Sequence, residues 1–208
     1  MIFEKLVEMQ VPGGLFRSGQ LMAGSRSPAG LRRQLDRWVK SGRITPLRRG
    51  VYLLNSPYRQ EKPHPFFAAN LLQPHSYISL HSALAYYDMI PEYVPVTTSV
   101  GTGRPETIET PLGSFKFHHL AERLFFGFEE REVSRNQQVL IASPEKALVD
   151  LLYLTPKSDN RDYLGELRLN LSGTVSWDKL ETTAAESGSK KTARAVKLIV
   201  EMFREEEE

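Results

Sequence analysis

A chain of 208 residues, 40% hydrophobic and 25% charged, is long enough for one or two domains with their own cores. The absence of cysteine excludes a disulfide scaffold and any thiolate metal site. No apolar run reaches bilayer length, and Lys5 and Glu8 interrupt the first turns with no signal-peptide core after them, so a cytoplasmic protein is expected.

The net charge of +2 hides an asymmetry. Nine arginines and three lysines against four carboxylates give residues 1–62 a charge of +8, leaving −6 for residues 63–208. A small basic half beside a larger acidic half is a common layout for a nucleic-acid reader joined to a partner or effector domain.

Ile2 to Gln10 reads as a short helix, broken by Val11-Pro12-Gly13-Gly14. A second short helix is expected over Ser18 to Ala23, ended by Gly24 and Ser25. The third is better signalled. Ser27 before Pro28 suits an N-cap followed by proline at the first helical position. Leu31, Leu35, Trp38 and Val39 recur at helical spacing, and Gly42 closes the helix. Ile44 to Leu47 and Val51 to Leu54 read as strands joined at Arg48-Arg49-Gly50. Three short helices and a hairpin in this order predict a winged helix-turn-helix. The proline-punctuated stretch around Lys62-Pro63 is the expected boundary, giving domains 1–62 and 63–208.

In the second half, helices are expected near Pro65 to Leu72 and over Ser82 to Met89, with Tyr77 to Leu80 extended between them. Val96 to Val100 reads as a strand, and Thr107 to Thr110 with Ser114 to His118 as a hairpin. Leu124 to Phe128 and Gln138 to Ile141 read as two further strands. Ser143-Pro144 caps a helix running to Leu154. Trp177 to Glu186 and Lys190 to Arg204 are the last helices, the final one with a buried stripe of Ala193, Val196, Ile199, Val200 and Phe203. The expected fold is α+β: an N-terminal winged helix-turn-helix, then a mixed domain with a small, mostly antiparallel sheet and several helices.

A recognition helix is buried on one side and cationic or polar on the other. Arg26, Ser27, Arg32, Arg33, Arg37 and Lys40 have that placement, and Arg48 and Arg49 lie at the wing turn. The arginine fork pairs with guanine O6 and N7 or with phosphate. The plain alternative is a solvated face with Asp36 and Glu61 as ion partners. That fits any one arginine, but fits poorly when helix, wing and glycine turn agree. A second cationic stripe, Lys190, Lys191, Arg194 and Lys197, marks a possible partner or DNA contact, although Glu201 four residues after Lys197 suits an ion-paired surface equally.

Ser27-Pro28-x-x-Leu31-x-x-x-Leu35-x-x-x-x-Lys40-x-Gly42-x-Ile44-x-x-Leu47-x-x-Gly50-x-Tyr52 resembles the winged helix of the AbiEi family, antitoxins of type IV toxin–antitoxin and phage-defence systems. The resemblance continues in Tyr77-Ile78-Ser79-Leu80-x-Ser82-Ala83-Leu84-x-Tyr86-Tyr87 and in Ile108-x-Thr110-Pro111-x-Gly113-x-Phe115-x-Phe117. It reaches Ser143-Pro144-Glu145-Lys146-Ala147-Leu148-x-Asp150. It implies a transcriptional autorepressor binding an operator in double-stranded DNA, whose C-terminal domain counters a nucleotidyltransferase toxin encoded beside it.

No catalytic, cofactor-binding or metal site is expected, and the chain is read as a non-enzyme. Gly101-x-Gly103 follows a strand, but Pro105 and a hairpin come next instead of a helix, so no phosphate cradle forms. Gly113-Ser114 is not followed by the Asp-x-Asp of a nucleotidyltransferase. No carboxylate stands two residues before any lysine, as a nuclease-type pair requires. His118 and His119 are sequential and would point to opposite faces of a strand. Two rivals stay open: a regulator whose second domain senses a ligand or dimerises, with no toxin partner, and a metal-dependent nuclease with unusual ligands.

Overall fold

The computed structural model describes residues 3–23 and 27–207. Two compact units divide the chain. The first comprises Met1–Pro74 with Thr110–Leu112 and Glu132–Val139; the second holds the remainder.

In the first unit α1 (Phe3–Glu8) leads through a 3-10 turn at Pro12–Gly14 into β1 (Leu15–Arg17). Next come α2 (Ser18–Ala23), α3 (Pro28–Lys40), β2 (Ile44–Arg48), β3 (Val51–Leu54) and α4 (Pro65–Leu72). The strands form an antiparallel sheet in the order β1-β3-β2. This is the element order and pairing of a winged helix-turn-helix. β1 has no sequence-level signal: three residues show no periodicity, and the strand exists because Leu15, Phe16 and Arg17 pair with Leu53, Tyr52 and Val51. Phe3 centres the core, with Trp38 and Tyr58 edge-on at 5.3 and 4.8 Å and the Arg43 guanidinium 4.9 Å from its ring centroid.

The ends of α3 explain its length. Ser27 accepts a hydrogen bond from the Gly30 N–H at 3.3 Å, and Pro28 occupies the first turn. At the other end Gly42 adopts φ 68°, its N–H donating to the Val39 carbonyl and that of Arg43 to the Trp38 carbonyl, which satisfies the last turn. Leu31, Leu35 and Trp38 face inward. Pro46 lacks an N–H and sits on β2, an edge strand.

Gly13 is fixed by its surroundings. It adopts φ 58°, and a Cβ there would lie 2.7 Å from the Pro63 Cα. Gln137, within 132–139, ties that segment into the same unit: its Oε1 accepts from the His64 N–H at 2.7 Å, and its Nε2 donates to the Lys62 carbonyl.

Most of a six-stranded sheet, in the order β6-β7-β5-β4-β9-β8, lies in the second unit. Its strands are β4 (Ser76–Ile78), β5 (Val96–Gly101), β6 (Glu106–Thr110), β7 (Gly113–His119), β8 (Phe128–Ser134) and β9 (Gln137–Ala142). The sheet is mixed: β4 runs antiparallel to β5 and parallel to β9, while β5 and β7 are parallel. The helices are α5 (Leu80–Tyr86), α6 (Pro144–Leu154), α7 (Arg161–Glu166), α8 (Trp177–Glu186) and α9 (Lys190–Glu207). Every residue of α6 from Glu145 to Leu152 is buried.

The strand expected over Leu124 to Phe128 is instead a 3-10 turn at Glu122–Leu124 and a loop, with β8 starting at Phe128. Gly127 at φ 72° breaks the run. Phe125 and Phe128 both pack on Tyr77, at 5.4 and 4.6 Å between ring centroids, so the aromatics do not alternate as a strand requires. On α9 the buried stripe runs through Ala195, Val196, Ile199 and Val200, while Ala193 is exposed.

Candidate nucleic-acid interface

The inward side of α3 is held by Leu31, Leu35 and Trp38, so its other side faces solvent. Arg32, Arg33, Arg37 and Lys40 are all exposed there, as is Asp36. An open concavity of about 700 Å³ lies along the helix, lined by Ser27, Gly30, Arg33, Asp36, Arg37 and Lys40 among others; Arg32 is not part of its lining. Ser27 is itself exposed while it caps the helix. Arg26 lies outside the described residues.

The wing is short. Arg17 and Arg48 both register with Val51, so the β2–β3 turn, Arg49 and Gly50, does not extend past β1. Ser18 donates its N–H to the Gly50 carbonyl at 2.8 Å, which fastens the turn to the start of α2. Arg49 is exposed at the tip. Arg48 is half-buried, and its Nη1 donates to the Leu72 carbonyl at 2.9 Å.

Arg17, which no sequence pattern singles out, turns the same way. Its Nε donates to the Leu71 carbonyl at 3.0 Å, and its Nη2 donates to the same oxygen. Burial first, then the Arg48 charge, lowers the Arg17 pKa. Two guanidinium groups thus occupy the last carbonyls of α4, the negative end of its dipole. An arginine preceding a helix start by one residue is the only local hint, and it does not specify this partner.

The α9 stripe is largely engaged inside its own unit. Lys191 donates to the Tyr153 carbonyl at 2.9 Å and to that of Thr155, and burial lowers its pKa against the pull of Asp159. Arg194 donates to Asp159 Oδ2 at 2.6 and 2.9 Å. Lys197 lies 3.9 Å from Glu201, and Lys190 is exposed.

The richest polar cluster of the second unit is sealed. Lys146 and Asp150, one turn apart on α6, form an ion pair at side-chain exposures of 2% each. The Tyr77 and Ser79 hydroxyls each donate to Asp150 Oδ2 at 2.8 Å. The Lys146 ammonium also lies 4.9 Å from the Phe126 ring centroid. Burial pushes the Asp150 carboxyl up, opposed by the Lys146 charge and these donors, and burial together with Asp150 pushes the Tyr77 phenol up. His118 is half-buried while His119 is exposed, its Nδ1 3.0 Å from the Gly103 carbonyl. No cluster of three or more metal-ligating side chains occurs among the described residues. No helix among them is long and apolar enough to cross a membrane.

With this geometry in view, residues 6–55 match the sequence model of a family described as a transcriptional regulator, AbiEi antitoxin. The matched segment runs from α1 to the end of the β2–β3 hairpin and includes all of α3. No curated protein matches the chain.

Proposed function

We propose that this chain is a DNA-binding antitoxin that represses its own operon and counters a nucleotidyltransferase toxin encoded beside it, a reading supported by the match of residues 6–55 to the AbiEi antitoxin family of transcriptional regulators. The observation that carries the DNA half is the exposed cationic side of α3, held outward by the burial of Leu31, Leu35 and Trp38. A helix of this kind fits the major groove, with arginines reaching base edges or phosphates. Ser27, Arg32, Arg33, Arg37, Lys40 and Arg49 are its available contacts among the described residues, with Arg48 turned inward.

In this reading residues 1–62 hold the operator and residues 63–208 counter the toxin. The Lys146–Asp150 pair has no access to solvent, so we read it as a structural feature of the second half. Lys190 and Lys197, both exposed, are the members of the α9 stripe most available to a partner.

The experiment expresses the neighbouring toxin from an unrelated promoter together with the full chain. Protection supports the antitoxin reading, since repression cannot then explain it. A full chain that binds its promoter but gives no protection is a regulator without a toxin partner. Promoter binding should weaken steeply as salt rises, because phosphate contacts release counterions.

A further inference from the structure

We propose that Arg33 and Arg37 are the base-reading arginines of α3, and that Arg32 and Arg48 are not. This inference rests on the DNA-binding reading and assigns roles within it. Arg33, Arg37 and Lys40 stand at i, i+4 and i+7, which places them on one ridge directly opposite Leu31, Leu35 and Trp38. All three line the concavity along the helix. Arg32 follows Leu31 directly and precedes Leu35 by three, so it projects from the flank beside the core and is absent from that lining.

Arg33 and Arg37 are separated by roughly 6 Å along the helix axis. Successive bases on a strand are about 3.4 Å apart, so two arginines on this ridge address different base pairs when the helix lies along the groove. Asp36 sharpens the distinction between reading and clamping. It lines the same concavity, on the side of the ridge towards Arg32. A carboxylate there repels phosphate, so the surface is poorly suited to gripping the backbone alone. Against base edges, the same carboxylate accepts a hydrogen bond from the cytosine N4 amino group.

The wing separates its two arginines in the same way. Arg48 is spent on the Leu72 carbonyl, whereas Arg49 is exposed at a turn that does not overhang β1. The wing therefore contributes one cation to DNA, as a phosphate contact.

The test uses the full chain and a duplex that it enriches from a randomised library, measured against an unselected duplex of equal length. Arg33→Ala and Arg37→Ala should each lower the affinity ratio between the two duplexes by about tenfold or more. Arg32→Ala and Arg48→Ala should leave that ratio unchanged. Arg49→Ala should leave it unchanged too, but reduce the slope of log affinity against log salt by about one. Arg33→Lys keeps the charge and loses the fork, so it should retain the salt slope while losing discrimination, and it remains informative if the alanine variant does not fold. Loss of discrimination in Arg32→Ala equal to that in Arg33→Ala, or full discrimination in Arg33→Lys, overturns the assignment alone. Failure to enrich any duplex overturns the DNA-binding reading and the assignment with it.

Discussion

Arg48 and Leu72, 24 positions apart, are joined by a hydrogen bond of 2.9 Å from a guanidinium to the final carbonyl of α4. A residue at the base of a wing is thereby a helix cap. Arg17 makes the same kind of contact to Leu71, so the two capping charges repel each other while serving neighbouring oxygens.

Arg17→Ala and Arg48→Ala should each destabilise the fold by about 1.5–3 kcal/mol, the range for hydrogen bonds to charged groups. Each single variant also relieves the repulsion, and the double variant relieves it only once. The double variant should therefore cost more than the sum of the singles. Urea unfolding of the four proteins checks this. A double variant that costs less than the sum would mean that the two arginines support each other.

Lys146→Ala should destabilise by about 3–5 kcal/mol, because it strands the Asp150 carboxylate in a buried site. Lys146→Met with Asp150→Leu removes both charges and keeps much of the volume. That pair should recover most of the loss, although Tyr77 and Ser79 then lose their acceptor. Recovery of less than half the loss in thermal unfolding would show that the polar network itself holds the second unit together.

His64 caps α4 by accepting the Phe66 N–H at Nδ1, 3.2 Å away. Burial lowers its pKa below the ordinary 6.5. In the interval beneath 6.5 the unfolded chain takes up more protons at this position than the folded one, so the contribution of His64 is present above that pH and is lost as pH falls. His81 and His118 are also lowered by burial and act with the same sign. His64→Asn supplies a cap acceptor that does not titrate. It should match the parent near neutral pH and flatten, without abolishing, the fall in melting temperature towards pH of about 5. An unchanged pH profile would remove His64 from the account.

Gly13→Ala should be more damaging than Gly42→Ala, although both glycines have positive φ. A methyl at Gly13 meets the Pro63 backbone at 2.7 Å, whereas one at Gly42 meets nothing within 4 Å. Gly42→Ala should cost about 1–2 kcal/mol from the left-handed conformation alone. Equal melting temperatures for the two variants would mean that the 60–64 segment yields without cost.

What was legible in the sequence was whatever local chemistry decides. Ser27-Pro28, the apolar spacing and Gly42 specify α3 at both ends, and Ser143-Pro144 does the same for α6, where Ser143 accepts from the Lys146 N–H. β1 was not legible, since a three-residue strand is created by its partner. Leu124 to Phe128 misled because an aromatic-rich run resembles a strand until Gly127 and the Tyr77 ring redirect it. At the candidate site, composition located the cationic helix but treated Arg32 and Arg33 alike. Only the angular position of each around α3 separates them. The destination of Arg48 depends on a carbonyl 24 residues away, and no pattern of neighbouring residues encodes that.

The sealing of Lys146 has a chemical corollary. An amine-acylating reagent meets Lys197, whose side chain is 80% exposed, in the folded chain, but finds the Lys146 amine closed off at 2%. Acylation at Lys146 thus requires the surroundings of α6 to come apart, while the exposed lysines are modified regardless. The mass increment on the peptide carrying Lys146 becomes an internal clock for opening of the second unit, readable beside Lys197 in the same digest.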